Sequence, residues 1–95
     1  MDTNEIIGKL QYIKPVLQRE YAVKTVGLFG SFATGTYTDS SDVDILVEFE
    51  RPVGVEFIDL SYLLEKQFDR KVDVVSLNGI KSKYLKEIEK DIVYV

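Results

Sequence analysis

No cysteine and no histidine occur in this 95-residue sequence. The first absence removes disulfides, thiolate chemistry and cysteine-bound zinc. The second removes the usual general base near neutral pH and the commonest zinc ligand. Whatever chemistry the chain performs therefore falls to carboxylates, hydroxyls, lysines or a metal held by oxygen. Basic charge is also short: 12 Lys and Arg stand against 16 Asp and Glu, a formal charge of −4. That argues against broad nucleic-acid binding by phosphate neutralisation, although a local basic patch stays open. No apolar run approaches the length of a membrane span. The start, "MDTNEIIGKL", has neither the positive lead nor the unbroken apolar stretch of a signal peptide, so a cytoplasmic protein is expected.

What is present is an ordinary globular balance, 45% hydrophobic and 29% charged. The length suits one small domain spanning residues 1–95, with no repeat, low-complexity segment or linker. In "DTNEIIGKLQYIKPVLQREY", Ile6, Leu10, Ile13 and Leu17 recur at helical spacing. Asp2 with Glu5 has the form of a capping box, and Thr3 is an equal candidate for the cap. Pro15 is expected to kink this helix or split it in two. "VKTVGLF", residues 23–29, reads as a strand ended by Gly30, and "SFATG" as a short helical turn. "DVDILVEFE" is a second strand. "VEFIDLSYLLEKQF" is a helix with Phe57, Leu60, Leu64 and Phe68 on one face and Leu63 widening it. "RKVDVVSL" is a third strand, and Asn78–Gly79 mark a turn. "IKSKYLKEIEK" reads as a last helix with Ile80, Tyr84 and Ile88 on one face, and "DIVYV" as a short strand or a docked tail. This order predicts a layered α/β domain with helices packed against a mixed sheet. The link between the first two strands is short, which leaves them parallel or antiparallel.

Asp42 and Asp44 interrupt the second strand where Val or Ile would be expected. Two residues apart, they point to one face, while Val43 and Ile45 point to the other. Like charges this close oppose each other's ionisation unless something positive lies between them. Magnesium prefers oxygen and is commonly held by one or two carboxylates plus substrate phosphates. The plainer alternative makes Asp42 a turn residue and Asp44 a solvated sheet position. Asp73, inside the apolar "VDVV", adds weight. If residues 71–76 pair beside residues 43–49, it completes a three-carboxylate cluster; otherwise it is an edge-strand charge that discourages aggregation.

Gly30 and Ser31 fall where a strand gives way to a helix. Free amides at a helix start bind phosphate, glycine permits close approach, and serine caps the helix or donates to a phosphate oxygen. The pair alone is no more than a cap and a turn. With the facing carboxylates it describes a site for phosphoryl or nucleotidyl transfer, in which catalysis is mainly positioning and charge stabilisation. No lysine follows the glycine–serine step, so it is not a Walker loop.

"GSFATG" followed by "SDVDILV" resembles the glycine–serine and paired-aspartate signature of the DNA-polymerase-beta-like nucleotidyltransferases. Nearly the whole chain is similar to their minimal nucleotidyltransferase subfamily, MntA-type antitoxins that act beside a helical HEPN toxin. The resemblance implies that Gly30 and Ser31 contact the β- and γ-phosphates of ATP. It implies that Asp42 and Asp44 ligate Mg2+, with Asp73 as the third metal and catalytic carboxylate, helping to activate the acceptor hydroxyl. It implies transfer of AMP to a tyrosine of the HEPN toxin, which silences it. Two alternatives stand beside it: a non-catalytic toxin-binding module, and transfer to a small molecule. Thr34 occupies a position where many of these minimal proteins carry arginine, and it lacks that residue's bidentate charge. Larger relatives close the cleft with a second domain. A chain this short leaves part of the site to a partner in a hetero-oligomer or to a homodimer.

Overall fold

The computed structural model describes every residue from Met1 to Val95. Helix α1 covers Thr3–Glu20, strand β1 Val23–Phe29, helix α2 Ser31–Thr34 and strand β2 Val43–Phe49. Helix α3 covers Val55–Phe68, strand β3 Val72–Ser76, helix α4 Ser82–Ile88 and strand β4 Val93–Tyr94. Single 3-10 turns at Leu77–Gly79 and Glu89–Asp91 flank α4.

The α1 stripe is as its spacing predicts: Ile6, Leu10, Ile13 and Leu17 are its buried residues. Asp2 is the cap. Its Oδ1 accepts from the Glu5 amide at 2.8 Å, and the Glu5 carboxylate accepts from the Asp2 amide at 3.4 Å. Thr3 does something else, donating its hydroxyl to the Phe32 carbonyl and so tying α1 to α2. Pro15 does not split the helix, which runs unbroken for 18 residues. Gln11 and Pro15 both lie on the exposed side, so the carbonyl that loses its amide partner faces water, while Ile13 and Leu17 anchor the stretch to the sheet.

The sheet runs β3-β2-β1-β4 and is mixed. β1 pairs antiparallel with β2 and with β4, whereas β2 and β3 are parallel and joined through α3. A parallel pair needs such a crossover, and the 13-residue link from β1 to β2 is satisfied by an antiparallel return. Val43, Ile45, Val47 and Phe49 alternate along β2 into a 16-residue core with α1 and with Leu60, Leu64 and Phe68 of α3. Burial of each large aliphatic or aromatic side chain there contributes about 1.5–3 kcal/mol. The intervening residues Asp44, Leu46 and Glu48 therefore face the other side of the sheet. Asn78 extends the sheet without being a strand. Its side chain accepts from the Phe49 amide at 2.9 Å and donates to the Phe49 carbonyl at 3.3 Å.

The C-terminal quarter departs from the expected pattern. The last helix is shorter than residues 80–90: Ile80 lies before it in extended backbone, and Tyr84 points to solvent at 42% exposure. The terminal "DIVYV" resolves into β4, and Ile92 and Tyr94 pack over Gly27 of β1. A Cβ at Gly27 would lie 2.7 Å from Ile92 Cγ2 and 3.3 Å from Tyr94 Cδ1. Glycine is needed there for space. Gly27→Val should push β4 off the sheet and lower stability by about 1–3 kcal/mol in urea unfolding, a typical figure for overpacking. Unchanged stability would show that the terminal strand is not docked on β1 in solution.

Candidate active site

Three strand ends meet on the sheet face opposite α1 and α3. β1 ends at Phe29, which stands opposite Asp44 of β2 in the antiparallel register. The next residue, Gly30, has φ +73° and ψ −156°, a backbone that side-chain-bearing residues rarely adopt. Its bare Cα lies hard against Asp44: a Cβ there would come within 2.0 Å of Oδ2. Glycine is thus required twice, by its torsions and by the carboxylate beside it. α2 then starts at Ser31, with no side chain capping it, and the amides of Ala33 and Thr34 return to the Gly30 carbonyl. Gly35, at φ +81°, ends the turn in the left-handed conformation.

β2 and β3 supply the acids. The parallel register sets Asp44 directly beside Asp73. Neighbouring strands are about 4.8 Å apart, and side chains at paired positions share a face. Asp42 lies one residue before β2 begins, its Oδ2 3.8 Å from the Lys71 ammonium. Asp44 is half-buried and Asp73 exposed. Burial, then the Asp73 and Asp42 carboxylates, push the Asp44 carboxyl from 3.8 up to about 6. The site thus carries more negative charge than the chain itself neutralises. No three carboxylates converge to the spacing of a complete metal cage. A hard cation such as magnesium does not need one, since it keeps waters and takes phosphate oxygens. The all-oxygen donor set, and the like charges that add to burial in raising Asp44, fit such an ion.

The five residues singled out in the sequence, Gly30, Ser31, Asp42, Asp44 and Asp73, therefore all lie at these three strand ends, with Gly30 and Asp73 flanking Asp44. Thr34 is exposed, and its hydroxyl bonds back to its own turn, 3.3 Å from the Gly30 carbonyl and 2.9 Å from the Thr36 hydroxyl. Reasoning from the sequence missed Arg70. Its guanidinium lies over the Phe32 ring, 5.3 Å from the centroid, and donates to the Ser41 carbonyl at 3.1 Å. Its only local signal was an arginine next to an acidic strand. The one cavity, about 520 Å3, lies elsewhere, at the far end of β2 among Phe49, Arg51, Val53 and Phe57. It contains none of the five residues, so the carboxylate face is open rather than enclosed.

An antiparallel β1–β2 unit with glycine–serine at its turn, paired aspartates at the start of β2 and a third on the parallel neighbour define a nucleotidyltransferase. The chain belongs to the nucleotidyltransferase domain family, whose profile matches residues 10–95. Within it this is a minimal nucleotidyltransferase, closely related to MntA-type antitoxins. The protein adenylyltransferase MntA of Thermococcus cleftensis is 38% identical over 92 residues, covering 96% of this chain and 93% of that one. A solved minimal nucleotidyltransferase superposes with a TM-score of 0.84 at 26% identity, over 98% of this chain and 95% of the other. A toxin–antitoxin structure containing AMP-PNP superposes with a TM-score of 0.63 at 27% identity, over 88% of this chain and 64% of that one. No helix is long and apolar enough to cross a membrane.

Two outcomes follow from the Asp44 contacts. Its folded carboxyl holds a proton more tightly than the unfolded chain does. Below about pH 4 both states are protonated; between 4 and 6 the unfolded chain ionises first and stability falls; above 6 the full penalty applies. The shift alone would correspond to about 3 kcal/mol, and solvent screening at this half-exposed group reduces it to roughly 1–2 kcal/mol. Metal-free Asp44→Asn should therefore be that much more stable than the parent at pH 7.5 in urea unfolding, and no different at pH 4. Parallel pH profiles for the two proteins would contradict it. Gly30→Ala places a methyl group on the carboxylate, and nucleotidyl transfer should fall by about 100-fold, the scale of an ångström-level misplacement. Circular dichroism serves as the check that the fold persists, and near-parent activity would remove the steric role assigned to Gly30.

Proposed function

We propose that the chain transfers AMP from ATP to a tyrosine hydroxyl of a HEPN-type toxin, and so acts as the antitoxin of that pair. The observation that carries this reading is Asp44, held against Gly30 on one side and beside Asp73 on the other. The relationship to MntA and the likeness to a toxin–antitoxin structure containing an ATP analogue support the donor and the partner.

In this reading the Gly30 backbone and the Ser31 amide and hydroxyl receive the β- and γ-phosphates. Asp42 and Asp44 would hold Mg2+, with Asp73 as the third ligand. When bound, the ion neutralises the crowded carboxylates and the triphosphate and orients the α-phosphate. The acceptor oxygen attacks the α-phosphorus, the bond from that phosphorus to the bridging oxygen breaks, and pyrophosphate leaves. Asp73, the most exposed of the three acids, is placed to take the hydroxyl proton. Nothing on this chain encloses an acceptor, because the carboxylate face is open. The toxin itself supplies the opposing wall, which selects a protein over a small-molecule acceptor.

The test is mass spectrometry of the toxin after incubation with this protein, ATP and magnesium. One or more AMP adducts on tyrosine are expected, and the paired change Asp42→Asn and Asp44→Asn should reduce them by at least about 1,000-fold, the scale of losing charge stabilisation at the reacting centre. A stable complex that neutralises the toxin with no adduct, and does so equally with the paired variant, would replace catalysis by occlusion. Thr34, whose hydroxyl is bonded back to the Gly30 carbonyl and which offers no charge to a triphosphate, is the observation that favours that second reading.

A further inference from the structure

Arg70 sits between the last residue of α3 and the strand carrying Asp73, and it touches both α2 and the end of the return loop. Its guanidinium covers Phe32, the fully buried residue that follows Ser31. Tyr37 stacks on the same ring, with centroids 4.4 Å apart and planes 13° apart. Tyr37 and Phe32 thereby fasten the start of the return loop to α2. At the end of that loop, Arg70 donates to the carbonyl of Ser41, the residue before Asp42, at 3.1 Å. Ser41 in turn closes a tight turn, accepting from the Thr38 amide at 2.8 Å through its hydroxyl and donating its own amide to the Thr38 carbonyl at 3.1 Å. One residue beyond Arg70, the Lys71 carbonyl accepts from the Val43 amide at 3.1 Å and the Lys71 ammonium meets Asp42.

A merely structural side chain would not need to be arginine. The Nε–H of Arg70 is buried and has no hydrogen-bond partner, which counts against stability. An apolar side chain of similar length would cover Phe32 without that unpaired donor. The guanidinium does one thing such a chain cannot do. Its charge lies over the Phe32 ring while its Nη1–H reaches the Ser41 carbonyl, so the α2 segment and the Asp42 segment are held by one rigid group.

We propose that Arg70 is a positioning residue that sets the separation between the Gly30–Ser31 wall and the Asp42–Asp44 wall. This rests on the metal–nucleotide reading of the site. Without Arg70 the Ser41 carbonyl loses its tie to the α2 segment, Lys71 alone holds Asp42 and Val43, and the carboxylates no longer meet a phosphate-bound cation in register with Ser31.

The test is Mn2+ binding in the presence of AMP-PNP, followed by electron paramagnetic resonance on the purified chain, with thermal unfolding alongside. Arg70→Met keeps the apolar cover over Phe32. It should weaken Mn2+ binding about tenfold while the unfolding midpoint stays within a few degrees of the parent or rises. Arg70→Lys, which keeps a donor for Ser41 but not the rigid guanidinium over Phe32, should fall between the two, and it serves as the readout if Arg70→Met does not fold. The Asp42→Asn, Asp44→Asn pair should abolish binding. Parent-like affinity in Arg70→Met or Arg70→Lys, with binding lost in the aspartate pair, overturns the role of Arg70 and leaves the site intact. No Mn2+ binding by the parent overturns the reading of the site itself.

Discussion

One carboxylate organises this molecule. Asp44 lies half-buried on a sheet face, with Asp73 beside it, Asp42 two residues before it and the Gly30 backbone pressed against its oxygen. A fold selected for stability alone would not collect three acids there. The raised Asp44 carboxyl registers that conflict, burial first and then the neighbouring acids. In the proposed reading a cation with phosphate would offset the second part, because positive charge placed among the acids reduces their mutual repulsion.

The rest of the fold serves to hold that conflict in place. Val43, Ile45, Val47 and Phe49 fix β2 to the helices from below, so a slip of one residue would bury Asp44 and expose the core. Register is thus enforced by the apolar face and read out on the acidic one. The parallel β2–β3 pairing sets Asp73 level with Asp44, and the antiparallel β1–β2 pairing delivers Gly30 one residue past Phe29. Two neighbours of opposite direction are needed on the same strand. Only a mixed sheet brings the chain reversal of β1 and the acid of β3 to one end of β2.

Much of this was legible from local pattern. The α1 stripe, the seven residues of β1 and the break at Gly30 follow from periodicity and one glycine, because these features depend on nearby residues alone. The apolar alternation around Asp42 and Asp44 likewise gives their common face. Pairing was not legible. Nothing local says that β3 lies beside β2 and not at some other edge, so whether Asp73 joined the cluster remained conditional until the register was known. Pro15 does not split α1 because a helix tolerates the missing amide where solvent takes over the carbonyl and the opposite face is anchored. Arg70 was invisible for a third reason: its partners Phe32 and Ser41 are 38 and 29 residues away in the chain.

The open carboxylate face and the position of the cavity belong to one explanation. The main apolar core is packed by a single layer of helices on one side of the sheet. On the other face Leu46 is buried and Ile92 and Tyr94 lie over Gly27, while β4 only extends the sheet at its β1 edge. The concavity near Phe49 arises where β2 runs out beyond the start of α3, remote from Asp44. A nucleotide on Gly30 and Ser31 would therefore have protein on one flank and solvent on the other. Water competes for an activated α-phosphate unless something excludes it. An acceptor presented by a folded surface excludes water and brings the attacking hydroxyl in the same step, which a small molecule does not do. The small size of the domain thus bears on specificity: with no second wall of its own, the site favours reaction with whatever macromolecule closes it.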